Sequence, residues 1–132
     1  MKIAIPKERR PHELRVAASL ETVTKFINLG FDITIETGAG DGAYIPDAAF
    51  AEAGATIVVD EATAFANADI VLKVQRPLIS GEDSADEIVG MKKGTILIGM
   101  LDALQHPNDV SAWKKALRLP GTQTLWTTPQ RI

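Results

Sequence analysis

At 132 residues the chain is long enough for one domain with a buried core, and its 45% apolar content is that of an ordinary globular protein. Fourteen basic residues against seventeen acidic ones leave a net charge of −3, with the cations scattered, which argues against nucleic acid as a partner. The lack of cysteine excludes disulfides and thiolate metal sites, and no apolar run approaches the roughly 18 residues of a membrane span.

The start, MKIAIPKERR, enters a strand directly and lacks the apolar segment of a signal peptide, so a cytoplasmic location is expected. Residues 2–6 form a short apolar run closed by Pro6, the pattern of a buried strand. A charged loop follows over 7–18. Ser19 then caps a helix whose Leu20, Val23, Phe26 and Ile27 share one face, and Gly30 supplies the left-handed stop. The segment 31–36 (FDITIE) alternates strictly and predicts a strand with Phe31, Ile33 and Ile35 on one face.

A glycine-rich turn over 38–43 leads to a short helix from Pro46 or Asp47 to Ala53, stopped by Gly54, with Pro46 suited to the first turn. Residues 56–59 predict a third strand, Asp60 a cap for a helix ending near Asn67, and 69–74 a fourth strand. A loop containing Pro77 and Gly81 leads to a short helix over 85–89, and 95–100 form a fifth strand. Asn108 is expected to cap a helix with Val110, Trp113 and Leu117 inward and Lys114, Lys115 and Arg118 near its C-terminal dipole. Residues 119–132 are an atypical tail in which 122–127 predict a sixth strand, ended by Pro129. Repeated strand–helix–strand order implies an α/β fold: an open, mainly parallel twisted sheet with helices on both faces, a flavodoxin-like or Rossmann-like three-layer lobe.

Two cations stand out in such a sheet. Arg15 follows the first strand and Lys73 closes the fourth, and in an open α/β sheet ligands sit outside the carboxyl ends of the strands. Arg offers a planar fork and Lys a mobile point charge, a pairing that suits a small carboxylate. The bland alternative is that both are solvated, although Lys73 interrupts the apolar run 70–74, where an ammonium needs a partner; Glu8 and Glu13 are the candidates. His12 and His106 fall in loops, with no second histidine nearby and no spaced carboxylate pair, so no metal site is expected. Gly38, Gly40 and Gly42 begin a G-x-G-x-x-G pattern, but Ala43 takes the third position, the preceding strand is the second, and Pro46 delays the helix. A tight strand-to-helix turn is the favoured reading, and this chain alone is expected to bind no dinucleotide.

The segments IAIPKERRPHELRVA, LGFDITIETGAGDGAYIPDAAFAEAGATI, ADIVLKVQRP and VGMKKGTILIGML cover about residues 1–118 in order. They resemble the N-terminal domain shared by alanine dehydrogenase and the α subunit of the proton-translocating NAD(P) transhydrogenase. By that resemblance, Arg15 and Lys73 match the residues that hold the carboxylate and carbonyl of pyruvate in alanine dehydrogenase. The dehydrogenase's catalytic histidine aligns with Asp102 here; an aspartate is normally ionised at neutral pH and is a poor general acid for a carbonyl oxygen. Arg76, where alanine dehydrogenases usually carry an acidic residue, leans the same way, towards the transhydrogenase branch. Leu20 replaces the family's usual proline at the helix start.

The resemblance implies NAD(H) bound by the complete subunit through a downstream Rossmann domain, NADP(H) on a partner subunit, a membrane subunit, and a homodimer peripheral to the inner membrane. The chain ends at Ile132, before that domain, as a truncated or frame-disrupted frame or an excised domain would. Two other readings stay open: a lobe of an alanine dehydrogenase, with His12 standing in for the lost histidine, and a non-catalytic fragment or interaction module. In two-lobed dehydrogenases a helix from the far end of the chain completes the first lobe, so an exposed apolar patch on one sheet face is expected here.

Overall fold

The computed structural model describes residues 1–79, 86–102, 104–109, 111, 113 and 126–127. In chain order they form β1 (Lys2–Ile5), α1 (Leu20–Asn28), β2 (Asp32–Glu36), a 3₁₀ turn (Asp41–Ala43), α2 (Asp47–Glu52), β3 (Thr56–Val58), α3 (Glu61–Phe65), β4 (Ile70–Gln75), β5 (Ile96–Met100) and β6 (Trp126–Thr127). The strands make one sheet in the order β3-β2-β1-β4-β5-β6, every neighbouring pair parallel. Of the two arrangements left open by the sequence, this is the Rossmann strand order.

Strand alternation sorts the core into two layers. Ile3, Ile5, Ile33 and Ile35 face α1 and α2 and pack with Val23 and Phe50. Ala4, Val71 and Leu97 face the other way and pack with Ala64 and Phe65 of α3, Ile88, Met91 and Trp113. The polar positions of β2 are buried too: Thr34 and Glu36 are each 5% exposed. Under α3, the outward face expected of an alternating strand becomes a second inward face. At the β4–β5 end the first face is less covered. Ile70, Leu72 and Val74 of β4 and Ile96, Ile98 and Met100 of β5 are only half-buried, in register with one another at Ile70–Ile96 and Leu72–Ile98.

The local stops and starts follow the chemistry of their residues. The Ser19 hydroxyl accepts from the Thr22 N–H at 3.2 Å, and Asp60 accepts from the Thr63 N–H at 2.7 Å, each satisfying a donor of the first turn. Gly30 (φ +93°) and Gly54 (φ +104°) turn the chain out of α1 and α2. Of the two expected starts of α2, Asp47 is the one found, and Pro46 caps it in extended conformation.

Two expectations are corrected. Residues 86–89 form no helix, with bends at Glu87 and Ile88 and a turn at Val89, and Ala85 lies outside the described residues. Here the Asp86 carboxylate accepts from the Ile88 N–H (3.1 Å) and the Glu87 N–H donates to the Leu78 carbonyl (3.0 Å), so side-chain and inter-segment bonds take the donors a helix would use. Asn108 is already helical, as are Pro107 and Asp109, and the Asp109 N–H donates to His106. Proline is preorganised for a first helical position and moves the cap back to His106. Trp113 is fully buried as expected, while Val110, Leu117 and the three cations at 114–118 lie outside the described residues. The sixth strand is present at Trp126 and Thr127, opposite Ile98 and Gly99; residues 122–125 lie outside the described residues.

Candidate functional site at the carboxyl ends of β1 and β4

Chain crossovers leave β1 in one direction to β2 and reach β4 in the other, so the crevice between these strands is the topological switch point, where ligands bind in such sheets. A cleft of about 420 Å³ opens there, lined by Arg15 to Ser19 of the β1–α1 loop, Ala43, Ile45, Lys73, Val74 and Met100. The structure therefore brings Arg15 and Lys73 to one cavity, 58 positions apart in sequence though they are. It uses their charges differently from the simplest expectation.

Arg15 is exposed, and its guanidinium grips Glu13 through two bonds, Nε–Oε1 and Nη2–Oε2, both 2.8 Å. That grip holds the Glu13 carboxyl down at about 2, with the Arg15 hydrogen bond the largest cause. Glu13 is thus the partner of Arg15 and of the Gln75 amide (2.8 Å), not of Lys73. An anion entering the cleft would meet an arginine already oriented by a carboxylate.

Lys73 is buried, its side chain 1% exposed. It lies at an irregularity where Leu72 pairs with Ile98 and Gln75 with Met100, so that Lys73 and Val74 together oppose Gly99. This is a β-bulge, a device that re-aims a side chain. Gly99 is required for it, because a Cβ there would stand 2.7 Å from the Lys73 carbonyl oxygen. The Lys73 ammonium lies 2.8 Å from Glu87 Oε1 and 3.4 Å from Glu8 Oε2. Glu8 also accepts from the Val74 N–H (2.6 Å) and the Gln75 N–H (3.3 Å), and Glu87 from the Leu78 N–H (2.6 Å). Glu8 was legible as a partner because a buried lysine demands one. Glu87 was not: it is 14 residues away, and the only signal was that demand itself.

A second ion-pair set adjoins this one on the α3 face. Arg9 holds Glu36 through Nη2–Oε1 (2.6 Å) and Nη1–Oε2 (3.0 Å), and its Nη1 lies 2.8 Å from Glu61 Oε2. The Glu36 bond raises the Arg9 guanidinium. Burial, with the negative charge of Glu87 next, pushes the Glu61 carboxyl up to about 8.

The glycine-rich segment 38–43 is a turn built for its own packing. Gly38 has φ +73°, and a Cβ on Gly40 would overlap the Ile45 carbonyl oxygen and stand 2.7 Å from the Phe50 ring. Four of its amides are taken: Gly38 N–H by Asp47, Ala39 by Glu36, Asp41 by Gly38 and Ala43 by Gly40. A pyrophosphate needs several free amides and open space, and here four amides are engaged and Gly40 and Gly42 pack closely on Ile45, Phe50 and Leu14. The first strand-to-helix connection, PKERRPHELRVAAS, carries no glycine. Among the described residues the cleft lining includes neither His12, which is exposed with φ +67°, nor Asp102, whose carboxylate lies 3.8 Å from His106 Nε2. Arg76 instead pairs with Asp109, Nε–Oδ2 3.0 Å, across to the helix that starts at Pro107.

The sequence that builds this sheet and the charged β1–α1 loop over its switch point matches a known family. Residues 4–118 fit the description "Alanine dehydrogenase/PNT, N-terminal domain". The chain belongs to that family. Over 115 residues this member is 50% identical to an NAD(P) transhydrogenase subunit alpha protein of Rhodospirillum rubrum, covering 87% of the chain and 30% of the relative. It is 36% identical over 101 residues to alanine dehydrogenase of Halomonas elongata, covering 76% of the chain and 26% of the relative. The solved structure of transhydrogenase from Sinorhizobium meliloti superposes with a TM-score of 0.79 at 39% identity, over 88% of this chain and 32% of that one. This alanine dehydrogenase/PNT domain therefore spans less than a third of the length of these relatives. Among the described residues no helix is long and apolar enough to cross a membrane.

Proposed function

We propose that this chain is the N-terminal lobe of the NAD(H)-binding α subunit of a proton-translocating NAD(P) transhydrogenase. In this reading it forms one wall of the cleft in which hydride passes from NADH to NADP. The observation that carries the proposal is the 50% identity over 115 residues to a transhydrogenase α subunit, against 36% over 101 residues to an alanine dehydrogenase. Chemistry supports the same side. A carbonyl substrate needs a proton donor, and the position after β5 holds Asp102, a carboxylic side chain turned towards His106. Direct transfer between two nicotinamides needs positioning and exclusion of water, not a side-chain acid.

The lobe's own contribution is then a rim. Arg15, oriented by Glu13, and the mostly apolar wall of Val16, Ala17, Ala18, Ile45 and Met100 shape the cleft mouth. NAD(H) is assigned to the remaining length of the α subunit and NADP(H) to a partner subunit, and the isolated lobe is expected to turn over nothing. A second reading, an alanine dehydrogenase lobe, is favoured by one observation only: Arg15 and Lys73 border the same cavity.

One experiment separates the two. The chain joined to its natural downstream segment is assayed with the NADP-binding partner for hydride transfer from NADH to an NADP analogue, and separately for NAD-dependent oxidation of L-alanine. Transfer without alanine oxidation is expected. Alanine oxidation abolished by Lys73→Ala would replace the proposal with the second reading, and failure to bind NADH in calorimetry would end both.

A further inference from the structure

The end of β4 outlasts its neighbour in the sheet. β1 and β4 pair through Ile3–Ile70 and Ala4–Val71; β1 then stops at Ile5, before Pro6, while β4 runs on to Gln75. Two glutamates of the β1–α1 loop take the place of the missing strand. Glu8 accepts from the Val74 N–H at 2.6 Å and the Gln75 N–H at 3.3 Å, and Glu13 accepts from the Gln75 side-chain amide at 2.8 Å. Glu13 otherwise turns to its own loop. Its Oε1 accepts from the Arg15 N–H (2.9 Å) and Arg15 Nε (2.8 Å), and its Oε2 from Arg15 Nη2 (2.8 Å). With the Gln75 bond each oxygen holds two donors, which fills the acceptor sites of a carboxylate. The other donors all belong to Arg15 and move with the loop. Among the described residues Gln75 is the one partner that ties this carboxylate to the sheet. The loop backbone is held independently. Arg10 Nε donates to the Arg76 carbonyl (2.8 Å) and Nη2 to that of Pro77 (3.1 Å), and a Cβ on Gly42 would stand 2.7 Å from the Leu14 carbonyl oxygen. Gln75 therefore governs where the Glu13 carboxylate points, not whether the loop is in place.

We propose that Gln75 is a positioning residue, fixing the Arg15 guanidinium at the cleft through the Glu13 carboxylate. The Arg15 side chain is 60% exposed and that of Glu13 only 6%. A guanidinium so exposed samples many rotamers, and an ordinary surface pair does little to restrain it. Here two parallel bonds join it to a carboxylate that is itself shielded and fixed, the geometry that gives an arginine–carboxylate pair direction. The grip uses Nε and one hydrogen of Nη2. Nη1 and the second Nη2 hydrogen bond no other group among the described residues, so Arg15 lines the cleft with one end-on pair of donors in one orientation. That pair suits an acceptor oxygen of the molecule bound there. The consequence for hydride transfer rests on the functional reading above; the Gln75–Glu13–Arg15 linkage does not.

The test uses the full chain with two variants. Gln75→Leu keeps the bulk of the side chain and removes the amide; Gln75→Lys returns a donor to Glu13. The Arg15 Nε–H is followed by heteronuclear magnetic resonance. Its exchange with water should be about tenfold faster in Gln75→Leu than in the wild type, the scale of one hydrogen bond lost from a charged group, and Gln75→Lys should recover the slow rate. An unchanged rate in Gln75→Leu would overturn the proposal, as would a rate raised equally in Gln75→Lys. Should Gln75→Leu not fold, Gln75→Ala replaces it in the same measurement; failure of both to fold would make Gln75 a structural residue and refute the positioning role. A second arm joins the chain to its natural downstream segment and adds the NADP-binding partner. Gln75→Leu should then lower kcat about tenfold while KM for NADH stays within about twofold, and Gln75→Lys should restore kcat. A raised KM with kcat intact would overturn the role in the reaction. A wild-type assembly that transfers no hydride would end the functional reading instead and leave the resonance result standing.

Discussion

Removing the Lys73 ammonium tests the electrostatics of the cleft most directly. Lys73→Met keeps the length and apolar stem of the side chain but takes away the only cation within 3.4 Å of both Glu8 and Glu87 among the described residues. All three side chains are 1–2% exposed, so solvent cannot replace the lost charge. Breaking a buried pair by removing one partner typically costs about 3–5 kcal/mol, against about 0–1 kcal/mol for a surface pair. The low end is expected here, because Glu8 keeps the Val74 and Gln75 N–H groups and Glu87 keeps that of Leu78. With a urea slope of about 1–3 kcal/mol per molar, a loss of about 3 kcal/mol moves the unfolding midpoint down by roughly 1–3 M, a large part of the 5–15 kcal/mol typical of a folded domain. Lys73→Met with Glu87→Gln should recover part of the loss, because it removes one of the two uncompensated carboxylates. A change under about 1 kcal/mol for Lys73→Met would show that the ammonium is in contact with water and that the burial argument is wrong.

Two further outcomes follow from packing. Gly40→Ala should destabilise by about 1–3 kcal/mol in thermal or urea unfolding, since its methyl group would overlap the Ile45 carbonyl oxygen and crowd Phe50; an unchanged midpoint would mean that the turn has room. The half-buried row of Ile70, Leu72, Val74, Ile96, Ile98 and Met100 should make the purified chain associate as its concentration rises, which sedimentation velocity would record. A monomer at every concentration would argue that this face is covered.

Much of the fold was readable because it depends on local periodicity. Five strands of the six lie within a residue of where apolar runs and alternation put them, and Ser19, Asp60, Gly30 and Gly54 mark helix ends by their own backbone and side-chain preferences. The departures share a cause. At 86–89 helical propensity, and at Asn108 capping preference, is outweighed by neighbours: Asp86 and Leu78 take part in bonds that a helix would use, and Pro107 starts the helix one residue earlier.

The chain by itself determined the layer order, the parallel sheet, the family and the pair of cations that border the cleft, since each is written in spacing or in contiguous motif. Only the tertiary structure decided what those cations do. Whether Arg15 grips Glu13 or an incoming anion, and whether Lys73 faces the cleft or two glutamates, depends on which carboxylates burial brings within reach. Glu61 arrives from α3 and Glu87 from the segment beyond β4, and no spacing rule links them to Lys73. Low dielectric then makes their charges interact strongly, which is why position in space, and not in sequence, sets the chemistry of this site.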